Sequence, residues 1–325
     1  MIKFQDPFNN EKLTDSDIGL INKNKSVVYP KINGITRVIK DQSNYTDNFG
    51  FQWNKFQKTQ IDKENGKRKL SFDRFFNSTN WKDEDLSSKV ILEVGAGAGR
   101  FTHVVLNHTN AKHLFSIDYS NAVEANYKNN ISHKDRLSLF QASVYEMPFE
   151  ERTFDKVFCF GVLQHTPNFK KSIESLIKML KPGGELIVDF YPIKGWYTKM
   201  HSKYILRPFT KGMSNEKLLR LIENNVDWMI KTSLFFNKIQ LGKFLNRFIP
   251  LCDIKNTLPN DLDYKELKEW VILDTFDMFS PAFDNPQKIT TVHKWFEEFG
   301  VKVNFSGFIN YQENKTAAIV KGIKK

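Results

Sequence analysis

The 325-residue chain carries 48 Lys and Arg against 37 Asp and Glu, for a formal net charge of +11, and 40% of it is hydrophobic, with 29 phenylalanines. That is ample apolar mass for one large domain or a core with appendages. Its two cysteines, Cys159 and Cys252, exclude a disulfide framework and a paired-cysteine metal site. No run approaches the roughly 20 apolar residues of a membrane span, and the start Met1-Ile2-Lys3-Phe4-Gln5-Asp6-Pro7 lacks the apolar stretch of a signal peptide. Cytoplasmic residence is the expectation. The positive charge invites a nucleic-acid reading, but it comes from 39 lysines and only nine arginines spread along the chain. Arginine is the residue suited to bidentate recognition of phosphates and bases, so a solvated basic surface is the better reading.

Residues 1–43 contain Asp17-Ile18-Gly19-Leu20, Ser26-Val27-Val28-Tyr29 and Tyr29-Pro30-Lys31-Ile32-Asn33-Gly34-Ile35, a small β appendage that stabilises the fold or joins two copies. Residues 44–88 are helical and aromatic, with Asn48-Phe49-Gly50-Phe51-Gln52-Trp53-Asn54-Lys55-Phe56 and Phe72-Asp73-Arg74-Phe75-Phe76. Residues 89–192 alternate strands and helices. Val90-Ile91-Leu92-Glu93-Val94 is an apolar strand that runs into Gly95-Ala96-Gly97-Ala98-Gly99 and a helix opening at Arg100. The glycines allow positive φ and close approach to a ligand, and the helix start directs unpaired N–H groups at it. Leu114–Asp118, Leu137–Ala142 and Phe154–Phe160 are further strands. Apolar residues at 173, 176, 177 and 180 keep a helical period until Lys181-Pro182-Gly183-Gly184, and Glu185–Tyr191 is the fifth strand. This alternation implies a doubly wound, mostly parallel sheet.

Residues 193–287 interrupt the sheet with helical patterns such as Glu216-Lys217-Leu218-Leu219-Arg220-Leu221-Ile222. An insertion over the carboxyl ends of the strands lies where open α/β sheets bind ligands. Residues 288–325 supply a helix over Ile289–Phe299, ended by Gly300, and a strand pair, Val301–Phe305 and Thr316–Val320.

The loop spacing is ExGxGxG, not the GxGxxG of dinucleotide folds. With the LPF-like Met147-Pro148-Phe149, the FDxV of Phe154–Val157, Val162-Leu163-Gln164-His165 and Leu180-Lys181-Pro182-Gly183-Gly184, it resembles class I S-adenosylmethionine (SAM) methyltransferases. The likeness is to the type 11 group, related to quinone-biosynthesis and polysaccharide-locus enzymes, and spans about 89–192. It implies a Rossmann-like α/β core with a reversed C-terminal strand. It also makes residues 44–88 a lid over the cofactor and 193–287 an acceptor-binding cap. The YPxxxGI segment from Tyr29 is similar to a zinc ribbon that precedes some such domains, but here the cysteines are missing and no metal is expected.

The resemblance assigns SAM binding to Glu93, Gly95, Ala96, Gly97, Gly99 and Arg100 in the loop. Asp118, Tyr119 and Gly161 join them at the strand tips, with Asp118 accepting from the ribose hydroxyls. Ser143 stands where these enzymes usually carry the Asp that binds the adenine amine, so adenine falls to Ser143 and the Val144 N–H. Gln52 and Trp53 belong to the lid, where an aromatic face beside the sulfonium gains about 0.5–2 kcal/mol. His165, just past the fourth strand, is either a general base or a structural hydrogen bond holding its loop. Tyr191, at the tip of the fifth strand, is placed to orient the acceptor. The expected activity is methyl transfer to a small-molecule or sugar-containing acceptor. An RNA methyltransferase and a catalytically silent SAM-binding scaffold are the alternatives.

Overall fold

A computed structural model describes residues 2–39, 45–62 and 69–325. The boundary at residue 43 lies outside the described residues. Five short strands come first: β1 (Phe4–Gln5), β2 (Lys12–Ser16), β3 (Gly19–Ile21), β4 (Val27–Ile32) and β5 (Ile35–Val38). Two helices follow, α1 (Asp47–Lys55) and α2 (Leu70–Thr79). The alternating region is β6 (Val90–Val94), α3 (Arg100–His108), β7 (His113–Asp118), α4 (Val123–Asn130), β8 (Leu137–Ala142), β9 (Phe154–Phe160), α5 (Phe169–Met179) and β10 (Leu180–Phe190).

The insertion holds α6 (Ser202–Thr210), α7 (Asn215–Phe236), the single turns α8 (Gly242–Leu245) and α9 (Ile254–Thr257), and α10 (Tyr264–Phe279). The chain closes with α11 (Ile289–Glu298), β11 (Val301–Gln312) and β12 (Lys315–Lys324). No helix of the described residues is long and apolar enough to cross a membrane.

The twelve strands of the described residues join one sheet in the order β1-β2-β3-β4-β5-β8-β7-β6-β9-β10-β12-β11. From β8 to β10 the pairings are parallel, with the order reversing between β6 and β9, as a doubly wound fold requires. β12 runs antiparallel between β10 and β11, the reversed strand expected from the sequence. The N-terminal strands continue this sheet: β5 lies parallel to β8, with Ile35 opposite Leu139 and Val38 opposite Ala142. They also contribute to its core, because Phe4 packs 6.0 Å from the Phe140 ring and 5.7 Å from Phe149.

Buried residues on the two faces of the sheet form separate cores, and a third fills the insertion. In that third core Ile222, Val226, Met229 and Ile230 of α7 repeat at helical spacing and meet Val271, Leu273 and Phe276 of α10. The helix starts are chemically marked. Ser214 accepts from the Lys217 N–H, and Asp263 and Glu266 form a reciprocal capping box at α10.

Candidate active site

The ends of β6, β7, β9 and β10 open on one side into a cavity of about 590 Å³, roofed by α1, the insertion and the start of α2. Gly95, Gly97 and Gly99 all have positive φ, of 78°, 54° and 82°. The reason is spatial as well as conformational. A Cβ on Gly95 would lie 2.2 Å from Val162 Cγ2, and one on Gly97 would lie 3.1 Å from Trp53 Nε1. The loop is tied to the next strand, since the Gly97 N–H donates to Asp118 Oδ2 at 2.7 Å. Ser120 donates to Asp118 Oδ1 from its N–H at 2.8 Å and its hydroxyl at 2.6 Å. A carboxylate accepts about four hydrogen bonds, so this one keeps capacity for a ligand. Burial raises the Asp118 pKa, against the pull of those donors.

Most of the residues singled out in the sequence line this one cavity: Gln52, Trp53, Gly95, Ala96, Gly97, Arg100, Asp118, Tyr119, Val144, Gly161, His165 and Tyr191. Three stand behind its wall. Glu93 turns inward, where Thr102 and Ser116 (2.9 Å) donate to its Oε2. Burial pushes its carboxyl up to about 7 in spite of those bonds. Gly99 caps α3, and a Cβ there would lie 2.2 Å from Asn126 Oδ1. The Ser143 hydroxyl is engaged by the Tyr145 N–H at 3.2 Å. Strand alternation explains Glu93: of adjacent positions on β6, only one can face the ligand side.

His165 is 5% exposed and lies between the Phe49 ring, at 5.1 Å, and the Tyr191 ring, at 5.5 Å. Its Nδ1 is 3.0 Å from the Phe283 carbonyl oxygen. A carbonyl only accepts, so this bond assigns the proton to Nδ1 and leaves a lone pair on Nε2. Nε2 is buried and has no hydrogen-bond partner among the described residues. Burial lowers the pKa of this ring, so it is neutral at pH 7. The Tyr191 hydroxyl donates to Asp277 Oδ2 at 3.1 Å, while Lys203 Nζ sits 4.8 Å from the Tyr191 ring centre. Lys203 is held by Asp284 at 2.8 Å.

The cavity has walls that sequence reasoning did not identify. Arg74 reaches Asp189, which also accepts from the Gly161 N–H. Gln60, also in the lining, accepts at Oε1 from the sequence-predicted Arg100 at 2.5 Å, and burial lowers the Arg100 pKa to about 10. Asp274 and Asp277 line the cavity from one turn of α10. Burial and then the neighbouring Asp277 push Asp274 up to about 7. The available signal was two acids three residues apart in the otherwise uncharged second half of α10, Trp270–Phe279, which puts both on one face.

Positive-φ glycines with no room for a Cβ, an acid at the second strand tip and a helix opening behind them are the features of a class I SAM-dependent methyltransferase domain. Residues 92–188 match the family model of a methyltransferase domain. This domain belongs to the methyltransferase type 11 family, whose cofactor is S-adenosylmethionine.

Over 142 residues the chain is 30% identical to a tRNA U34 carboxymethyltransferase of Nautilia profundicola, covering 40% of this chain and 46% of that protein. Over 101 residues it is 31% identical to a sterol 24-C-methyltransferase of Saccharomyces cerevisiae, covering 30% and 26%. The chain thus spans less than half the length of these curated relatives. A magnesium protoporphyrin IX methyltransferase from Synechocystis PCC 6803, solved with bound SAH, superposes with a TM-score of 0.47 at 13% identity. That superposition covers 86% of this chain and 97% of the other.

The residues present fit this cofactor. The Gly97 backbone leaves a cradle beside Trp53, Asp118 has acceptor capacity left, and buried Gln52 Oε1 in the cavity wall has no partner among the described residues.

Proposed function

We propose that the protein transfers a methyl group from SAM to a small-molecule acceptor held between the glycine loop and α10. The observation that carries this reading is the position of His165: it lines the same cavity as the glycine loop, and its Nε2 has no partner among the described residues. Bound SAM supplies a methyl group on a sulfonium, whose leaving group is already activated. The chain then has to hold, align and dehydrate the reactants. Gly97 and Asp118 hold the cofactor side, with Tyr119 and Val144 beside them. Trp53 and Phe49 keep water out from the α1 side.

His165 Nε2 takes the proton of an acceptor hydroxyl or amine, and the Phe283 carbonyl fixes the tautomer that makes this possible. The resulting imidazolium is favoured by the negative charge of Asp277, which opposes the effect of burial. Tyr191, oriented by Asp277, positions the acceptor. Its phenol is itself no base, because burial and Asp277 raise its pKa well above the ordinary value.

A second reading, transfer to RNA, is supported by the similarity to tRNA U34 carboxymethyltransferases. The two readings part in one experiment. The protein is incubated with methyl-labelled SAM and an extract of its source organism, which is then separated into water-soluble small-molecule, solvent-extractable, sugar-polymer and RNA fractions. Label in either small-molecule fraction is the expected result. Label in RNA replaces the small acceptor by RNA, label in the sugar polymer by a glycan, and no transfer to any fraction favours the silent scaffold.

A further inference from the structure

The cap leaves an unusual amount of apolar surface in water. Trp196 is 83% exposed, Phe209 72% and Leu241 75%, with Phe235, Phe244 and Phe248 also exposed. Single exposed apolar residues need no explanation, but a contiguous group does. For all of these but Phe209, contiguity follows from the hydrogen bonds beneath the side chains. Asn246 Nδ2 donates to the Ser233 carbonyl at 3.2 Å and to Asn237 Oδ1 at 2.8 Å, which folds the α8 turn back on the end of α7. The Arg247 guanidinium donates to the carbonyls of Tyr197 (2.6 Å) and Met200 (3.0 Å), joining the Trp196 turn to the same edge. The rings of Phe244 and Phe248 are 5.3 Å apart. On α7 itself, Leu221, Trp228 and Phe235 are exposed at intervals of seven, which aligns them in one stripe.

The charge pattern selects the partner. From Trp228 to Cys252 the sequence has no Asp or Glu and four cations, Lys231, Lys238, Lys243 and Arg247. Lys231 and Lys238 are exposed among the apolar groups. The acid just before this stretch, Asp227, is already bonded to Lys268 at 2.7 Å. Tryptophan, phenylalanine and leucine interleaved with lysine, on helices that do not span, form the chemistry of a surface lying in the interface of an anionic bilayer. Tyr197 and Arg247 also line the cavity, so this surface borders its mouth.

We infer that the α7–α8 edge of the cap docks on an anionic lipid surface. The inference does not depend on which acceptor is methylated. The test is co-sedimentation of the full chain with vesicles of phosphatidylcholine alone or of phosphatidylcholine with phosphatidylglycerol at 7:3. Binding to the anionic vesicles, weakened by added salt and at least about tenfold tighter than to neutral ones, is expected. Both Phe235→Ser/Phe244→Ser and Lys231→Glu/Lys238→Glu lower it about tenfold or more. SAM affinity, read by calorimetry, is unchanged in both, which shows the variants are folded and keeps this test separate from the methyl-transfer reading. Three results overturn the inference: no sedimentation with anionic vesicles at low salt, binding untouched by either double variant, or a dimer in light scattering that Phe235→Ser/Phe244→Ser converts to monomer.

Discussion

The glycine loop and the cap build opposite walls of one cavity by different physical means. In the loop, backbone geometry decides: three positive-φ glycines stand where added Cβ atoms would meet neighbours at 2.2–3.1 Å, and Asp118 ties the turn down through a main-chain N–H. In the cap, side chains decide. Asp274, Asp277 and Trp270 come from α10, Lys203 from α6 and Arg247 from the turn after α8, held by scattered bonds such as Thr210 Oγ1 to the Phe279 carbonyl at 3.1 Å. The loop therefore depends on backbone conformation, while the cap's part of the wall depends on which side chains it presents. On the proposed function, the loop would carry the invariant part of the chemistry and the cap the choice of acceptor.

The largest effect that breaks this division falls where the two walls meet. His165→Ala should lower turnover on the true acceptor by roughly 10²–10⁴-fold while SAM affinity stays near wild type. Because burial holds the imidazole below its ordinary pKa, the wild-type rate should fall as pH drops, with its midpoint below that of a free imidazole. A variant with near-normal turnover would leave His165 with the structural role alone, a ring pinned to Phe283.

A smaller effect compares the two buried acids. Glu93, 2% exposed, has its carboxyl pushed up to about 7 from an ordinary 4.5. The folded protein thus keeps a proton that the unfolded chain releases from about pH 4.5 upward, and stability falls as pH rises from there to about 7. Denaturant titrations at pH 5 and pH 8 should show this loss shrinking in Glu93→Gln, by up to about 3 kcal/mol. Asp274→Asn should shrink it in the same direction, because burial and then the neighbouring Asp277 raise that carboxyl to about 7 as well. Equal slopes in wild type and Glu93→Gln would contradict the assigned ionisation.

The smallest effect sharpens the contrast between glycines. Gly212, in the cap, has no atom within 4 Å of an added Cβ. Gly212→Ala should therefore change stability by no more than about 0.5 kcal/mol, measurable by thermal unfolding. A larger loss would mean that the cap also depends on backbone geometry.

This division also marks what the sequence could disclose. The parallel order and the reversed strand follow from apolar runs and their spacing, and Gly95, Gly97 and Asp118 are legible because backbone requirements leave local signatures. The continuation of the sheet through β5 was not legible. Ile35–Val38 pairs with Leu139–Ala142, about a hundred residues away, and nothing in a four-residue strand names its partner. The inward turn of Glu93 depended on Thr102 and Ser116, and the Nδ1–H tautomer of His165 on the Phe283 carbonyl. The Asp274–Asp277 wall and the Arg74–Asp189 pair likewise arise from convergence of distant segments, which spacing alone does not encode.

Calorimetric titration of SAM into the wild-type chain and into Gly97→Val tests the central claim most directly. The account predicts saturable one-to-one binding by the wild type. It predicts loss of detectable binding in Gly97→Val, whose circular dichroism stays that of the wild type, because a branched side chain at φ 54° beside Trp53 fills the cradle. Equal affinity in the two proteins, or no binding by the wild type, would contradict it.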